Sequence, residues 1–295
     1  MSTPVPVRAD PTGLLLLFGA VIGWGLNWPA MKLVVAEVPP LSMRLVGWVI
    51  GTALLAALAH RAGERLGVPR RDWPALLLAS LLNVTSWMGL AGFSLLWLAS
   101  GEATIVCYTM PVWAVIAARL VLGEAISPRR LAALGLALGA LGVLLLGQGV
   151  GVGLAKLPGV AVGLAAAMLF SLGTVIGKRW PLGLPPTAGA AWQIGLGCAP
   201  LLPLALLFET TDWGAVSPLT WWLMIYGGVL PLGLSYLFWF AALRRLPAAT
   251  AAMGTLLTPV VGVLGGAALL GEPLGPRELL ALSLAVGGVV LAIRG

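Results

Sequence analysis

The sequence predicts an all-α integral membrane protein with ten transmembrane helices, arranged as two inverted five-helix repeats. Composition is the first observation behind this: 60% of the residues are hydrophobic, only 9% are charged, and the mean hydropathy is +1.02. Soluble domains carry about 25% charged residues, so this chain lacks the polar side chains to cover a water-facing shell. The second is a series of apolar runs, each near the ~20 residues a helix needs to cross the hydrocarbon core. The third is internal repetition. Pro111, Gly123-Glu124 and Pro128-Arg129 return at one constant offset as Pro259, Gly271-Glu272 and Pro276-Arg277. A repeated G-E-x-x-x-P-R frame marks a duplicated unit.

In order, the runs fall at 12–35, 40–60, 73–97, 102–122 and 128–147, then 158–177, 185–208, 218–243, 248–270 and 276–293. A charged connector (Arg61, Glu64, Arg65, Arg70, Arg71, Asp72) separates the second and third runs. A Gly-rich stretch to Lys156 separates the halves, giving one repeat at 12–148 and another at 157–294. The first run continues through Trp24, Asn27 and Trp28 without a small-residue cleavage site, so it reads as a span and not a removable signal. Helices are expected because backbone N–H and C=O groups in lipid must be satisfied within the segment.

The basic residues set the orientation. With the N-terminus in the cytoplasm, thirteen of the 17 lysines and arginines fall inside, while Lys32, Lys156 and Arg277 fall outside and Arg44 sits near the outer start of the second helix. Both termini are therefore expected in the cytoplasm. Five crossings per repeat invert the second half, so the Gly123-Glu124 corner should turn inside and Gly271-Glu272 outside. Gly135, Gly139 and Gly142 in the fifth helix, matched by Ser283 and Gly287 in the tenth, predict a tightly packed helix pair.

Several functions are excluded by what the residues do not form. The net charge of +7 does not imply nucleic acid, because basic residues lie singly or in pairs at the ends of apolar runs. Cys107 and Cys198 sit inside apolar runs and suggest no disulfide framework, and the lone His60 has no ligand partners in view. No nucleophile–base pair, metal-ligand spacing or phosphate-cradling loop is present, so the chain is read as a non-enzyme without cofactor or metal.

The remaining candidates are polar and aromatic residues inside the runs. Ser80, Asn83 and Trp87 share one face of the third helix, and Thr104, Tyr108 and Pro111 one face of the fourth. Trp24 and Asn27 pair in the first helix, as do Ser171 and Thr174 in the sixth. Trp192 and Gln193 come from the seventh, and Tyr226, Ser235, Tyr236 and Trp239 from the eighth around Pro231. Such faces should turn from lipid toward a shared interior. The expected substrate-binding set is Trp24, Asn27, Ser80, Asn83, Trp87, Tyr108, Ser171, Trp192, Tyr236 and Trp239, with Pro111, Pro259 and Gly254 as hinges. Trp28, Trp73, Trp180, Trp213, Trp221 and Trp222 lie near helix ends and read as interface-belt residues. Glu102 reads as a helix-start carboxylate, and Glu124 and Glu272 as structural turn residues. A cavity of this composition, without a fixed buried charge, suits a neutral or zwitterionic ligand with an apolar part.

Trp24-Gly25-Leu26-Asn27 with Lys32, the two Gly-Glu corners, and Pro111 and Pro259 resemble the EamA-type, ten-helix branch of the drug/metabolite transporter superfamily. The aromatic cavity makes the chain most similar to its YddG-type aromatic amino-acid exporters. Phe170 departs from the tryptophan that often opens the second repeat. The resemblance implies a secondary transporter of the bacterial inner membrane that exports amino acids, aromatic and other neutral ones, by alternating access. Its partners would be that small-molecule substrate and the lipid bilayer. The alternative is a broad exporter of hydrophobic drugs or other metabolites. With no obvious buried acid, transport down the substrate gradient is expected.

Overall fold

A computed structural model describes residues 10–123, 128–146, 150–246, 254–255 and 257–294; Glu124 therefore lies outside the described residues. The segments are α1 (Pro11–Val34), α2 (Ser42–Arg61), α3 (Arg70–Ser94), α4 (Ser100–Leu122) and α5 (Pro128–Leu146). They continue as α6 (Val150–Arg179), α7 (Pro186–Phe208), α8 (Pro218–Leu243), α9 (Leu257–Leu270) and α10 (Pro276–Arg294). No strand occurs among the described residues. Among the described residues, seven segments are long and apolar enough to cross a membrane: α1, α2, α3, α4, α6, α7 and α8. Shorter apolar stretches lie in α5 (Leu131–Val143) and α9.

Most helix starts follow from local sequence. Asp10 caps α1 by accepting from Thr12 N at 3.0 Å, and Pro11 occupies the first turn, where its missing N–H costs no helical bond. Gly123 and Gly271, the glycines of the repeated corner, adopt φ of 72° and 65°. This left-handed conformation ends a helix and disfavours any residue with a Cβ. Gly123 closes α4, whereas Glu272 holds the start of α4 through Ser100 and Gly101. The two corners thus lie at opposite ends of one helix.

Four helices, α2, α4, α7 and α8, are held at their starts by carboxylates from the other half of the chain. Glu272 accepts from Ser100 N (2.6 Å), Ser100 Oγ (2.8 Å) and Gly101 N (3.0 Å). Glu209, after α7, accepts from Leu41 N (2.9 Å), Ser42 N (2.7 Å) and Ser42 Oγ (2.8 Å) at the start of α2. In return Glu64 accepts from Ala188 N in α7 (2.7 Å), and Glu37 from Ser217 N (2.8 Å) and Ser217 Oγ (2.9 Å) before α8. Each satisfies orphan N–H donors and places a negative charge at a positive helix end.

Glu102 starts α4 as a capping carboxylate, accepting from Ala99 N at 3.2 Å. It is also buried between Lys156 Nζ and Arg277 Nη2, both at 2.8 Å, an ion cluster its sequence position did not suggest.

Three spans are interrupted where the cavity forms. α3 takes a π turn over Ser80–Thr85, and α8 another over Leu230–Leu234, where Pro231 cannot donate to the ladder. α4 breaks at Tyr108 and Thr109, immediately before Pro111. Pro259 lies buried in the first turn of α9; residues 251–253 and 256 just before it lie outside the description.

α5 packs chiefly on α10, as the small-residue pattern predicts, but not through the expected glycines. Gly135 and Gly142 face open space, and Gly139 and Gly287 make only ordinary contacts. The close approach is at Gly288, where a Cβ would stand 2.9 Å from Ala133 O.

Candidate functional site

At the centre, α1, α2, α3, α4 and α8 enclose a cavity of about 90 Å³. α1 brings Trp24, Asn27 and Trp28, which share a face because i, i+3 and i+4 lie on one side of a helix. Trp28, Trp87 and Tyr108 form a ring of edge-on aromatic contacts with centroids 6.2–6.4 Å apart. Opposite them, Trp24 meets Tyr236 edge-on at 5.6 Å. The indole N–H of Trp24 donates to Pro231 O at 3.0 Å, so the π turn of α8 supplies the acceptor that fixes this ring. Met31, Met43, Met88 and Met224 fill the remaining wall with polarisable thioethers. Asn27 Nδ2 lies 3.1 Å from Met31 Sδ, which holds the amide in place on the cavity wall.

A second cavity of about 310 Å³ lies between α3, α6, α7 and α8, lined by Asn83, Phe170, Gln193 and Tyr236 among others. Tyr236 borders both cavities, and Trp87 and Phe170, one from each, meet at a tilt of 52° with centroids 5.2 Å apart. Asn83 Oδ1 is buried there without a hydrogen-bond partner among the described residues.

Of the residues expected to bind substrate, Trp24, Asn27, Trp87, Tyr108 and Tyr236 come together around the first cavity, and Asn83 faces the second. Trp239 packs on Trp24 with centroids 6.0 Å apart, outside the lining. Ser80 spends its hydroxyl on Leu76 O at 2.7 Å in its own helix. Ser171 Oγ shares its one proton between Ala167 O (2.6 Å) and Met110 O (2.5 Å), which ties α6 to the broken segment of α4. Thr174 is exposed. Trp192 is remote from the first cavity, donating to Leu66 O at 2.7 Å and meeting Trp73 edge-on at 5.6 Å.

Two expectations are overturned. Trp28, assigned to the interface belt, is 4% exposed and forms part of the cavity wall. Its place near the end of the first helix suggested a membrane surface, but the side chain faces the bundle. The cavity is also not free of fixed charge, because Arg44, in the first turn of α2, lines it. Its Nε donates to Met88 O at 2.9 Å, and among the described residues no Asp or Glu pairs with it. Position near the end of an apolar run had made Arg44 look like a topology marker. Lys32, by contrast, is used structurally: Nζ donates to Leu95 O (2.5 Å) and Leu98 O (2.8 Å), closing the end of α3. Among the described residues no group of three His, Cys, Asp or Glu side chains could hold a metal ion.

The comparison with protein families decides what kind of molecule carries this cavity. The profile of the EamA-like transporter family matches residues 11–148 and again 157–294. The chain belongs to the EamA-like transporter family. Within it, this EamA protein is 28% identical over 292 residues to YedA, an uncharacterized inner membrane transporter of Escherichia coli (strain K12), covering 96% of the chain and 92% of YedA. It is 23% identical over 255 residues to YoaV, an uncharacterized transporter of Bacillus subtilis (strain 168), covering 86% and 87%. A protein of Streptantibioticus cattleyicolor named as a probable terminal-alkyne amino-acid exporter is 26% identical over 275 residues, covering 93% and 91%. A solved crystal structure superposes on the EamA protein with a TM-score of 0.67 at 24% identity over 95% of each chain, which establishes the shared fold. The protein is thus a multi-pass membrane transporter of EamA type.

Proposed function

We propose that this transporter exports amino acids, aromatic and other neutral ones, from the cytoplasm across the bacterial inner membrane by alternating access. The single observation carrying the reading is the central cavity: indole, phenol and thioether surfaces beside the Asn27 amide, with no Asp or Glu in its lining. Apolar side chains find aromatic and sulfur contacts there, and polar ends find an amide and hydroxyls. The amino-acid export named for the Streptantibioticus relative supports the same substrate class. Ten spans in two inverted five-helix repeats, with both termini cytoplasmic, would put the Glu272 corner outside. α4 and α9 are the moving elements, turning at Pro111, Pro259 and Gly254; the break of α4 before Pro111 supports this. Transport runs down the substrate gradient, because no acid lines the cavity to carry a coupled proton.

The test is counterflow in proteoliposomes with a panel of amino acids, with and without a pH gradient. Uptake of phenylalanine and tryptophan that ignores the gradient and falls at least tenfold in Asn27→Ala and Trp87→Ala is expected. Lipophilic cations carried in place of amino acids would favour the broad drug exporter.

A further inference from the structure

We infer that Arg44 is the carboxylate-binding residue of the central cavity, so that the site selects apolar ligands bearing a carboxylate and rejects their amides and amines. The inference rests on the cavity being the transport site, as proposed above, and goes on to name the group that decides its specificity.

The argument begins with where Arg44 should not be. It lies in the first turn of α2, at the helix end that carries partial positive charge. A cation there opposes the helix dipole, so helix formation supplies no reason for it. Glu209, which caps this end of α2, is already committed to Leu41 N, Ser42 N and Ser42 Oγ. Nor is Arg44 a membrane-surface anchor, because it lines a cavity shared with Trp28, Trp87 and Tyr108. A guanidinium stays charged at neutral pH, and in low dielectric an unpaired charge is unfavourable. Among the described residues, only the Nε–H has a protein partner, the Met88 carbonyl. That bond holds the guanidinium against α3 and leaves both terminal nitrogens without a protein partner among the described residues. Two parallel N–H groups at the spacing of a carboxylate's oxygens are the geometry of bidentate recognition.

The other charge clusters are already paired. Glu102 is neutralised by Lys156 and Arg277, and Lys32 is spent on the carbonyls of Leu95 and Leu98. Arg44 differs from them in facing a cavity with no counter-ion among the described residues. A ligand carboxylate would supply that charge, and an ammonium or quaternary cation would meet repulsion.

The test uses matched ligands on purified full-length protein in detergent: phenylalanine against phenylalaninamide, and 3-phenylpropanoate against 3-phenylpropanamide. Binding is read from the concentration that half-saturates the rise in melting temperature. Each acid is expected to half-saturate at a concentration at least tenfold below its amide. Arg44→Gln should collapse that ratio to near one, with Arg44→Lys keeping part of it. Equal binding of acid and amide to the parent overturns the inference, as does an Arg44→Gln ratio equal to the parent's, or no binding of either acid. Should Arg44→Gln fail to elute as a single species, the parent's acid-to-amide ratio decides alone. Arg44-dependent binding of 3-phenylpropanoate without transport of phenylalanine would remove the amino-acid reading and keep this one. Transport of phenylalanine and its amide alike would do the reverse.

Discussion

α1 and α6 open the two repeats and occupy equivalent positions in them, yet they do different work. On α1, Trp24, Asn27 and Trp28 face the cavity, and Lys32 closes the end of α3. The equivalent positions on α6 are Phe170, Gly173, Thr174 and Lys178, of which Thr174 and Lys178 are exposed. The crossings of these helices trade an amide for a glycine. Asn27 of α1 lies against Gly227 of α8, whereas Gly173 of α6 receives Asn83 from α3. Duplication therefore preserved the frame of corners and breaks, while the residues inside it diverged. A cavity built on such a frame is one-sided, with its charge and most of its indoles on the first-repeat side.

The largest expected effect comes from truncating the α1 aromatic. Trp28→Ala removes a buried ring from the contacts with Trp87 and Tyr108 and should cost about 3–5 kcal/mol. Thr174→Ala, its α6 counterpart, should stay within about 0.5 kcal/mol, since it is exposed and bonds only its own Phe170 O. Thermal unfolding in detergent compares the two, and equal losses would end the contrast between α1 and α6.

The glycine crossings should separate next. A Cβ on Gly173 would stand 2.1 Å from Asn83 Oδ1 and 2.7 Å from Leu82 Cβ, so Gly173→Ala should cost about 1–3 kcal/mol. Adding Asn83→Ala should recover part of that loss. A Cβ on Gly227 comes no closer than 3.8 Å to Asn27 Oδ1, so Gly227→Ala should be neutral within about 0.5 kcal/mol. A smaller difference is expected for the lysines. Lys32→Ala strands two carbonyls and should cost about 1–2 kcal/mol, while exposed Lys178→Ala should change stability by less than about 0.5 kcal/mol.

The smallest effect is at the start of α8. Hydrogen bonds from the Ser217 backbone N–H and hydroxyl hold the Glu37 carboxyl below its ordinary pKa. A depressed native pKa means the contribution is complete above the unfolded value, about 4.3, and is lost as pH falls through the lower native value. Parent and Glu37→Gln melting temperatures should therefore converge on acidification below that range. A gap that widens there would contradict the assignment.

The frame of the fold was legible because hydrophobic length, the Gly-Glu corners and the prolines are properties of the chain itself. Side-chain direction was less so. The i, i+3 and i+4 spacing placed Trp24, Asn27, Trp87, Tyr108 and Tyr236 on inward faces. The same reasoning treated every hydroxyl as an inward polar group. Ser80, Thr104 and Ser171 are buried and Thr174 is exposed, yet all four bond the carbonyl four residues back in their own helices. A hydroxyl that can be satisfied locally says little about which way its helix faces. Arg44 and Trp28 were misread for the converse reason: proximity to the end of an apolar run does not reveal whether a side chain turns outward to headgroups or inward to the bundle. The carboxylate caps joined residues far apart in sequence, such as Glu209 with Ser42, and no local pattern announces such a pair.

Those caps have a consequence for biosynthesis. The N–H groups that begin α2 and α4 are complete only after Glu209 and Glu272, both in the second repeat, have been synthesised. Until then those donors lack the carboxylates that meet them in the finished fold, an unfinished half waiting for its complement. Two separately expressed halves should accordingly be unstable apart and recover when produced together.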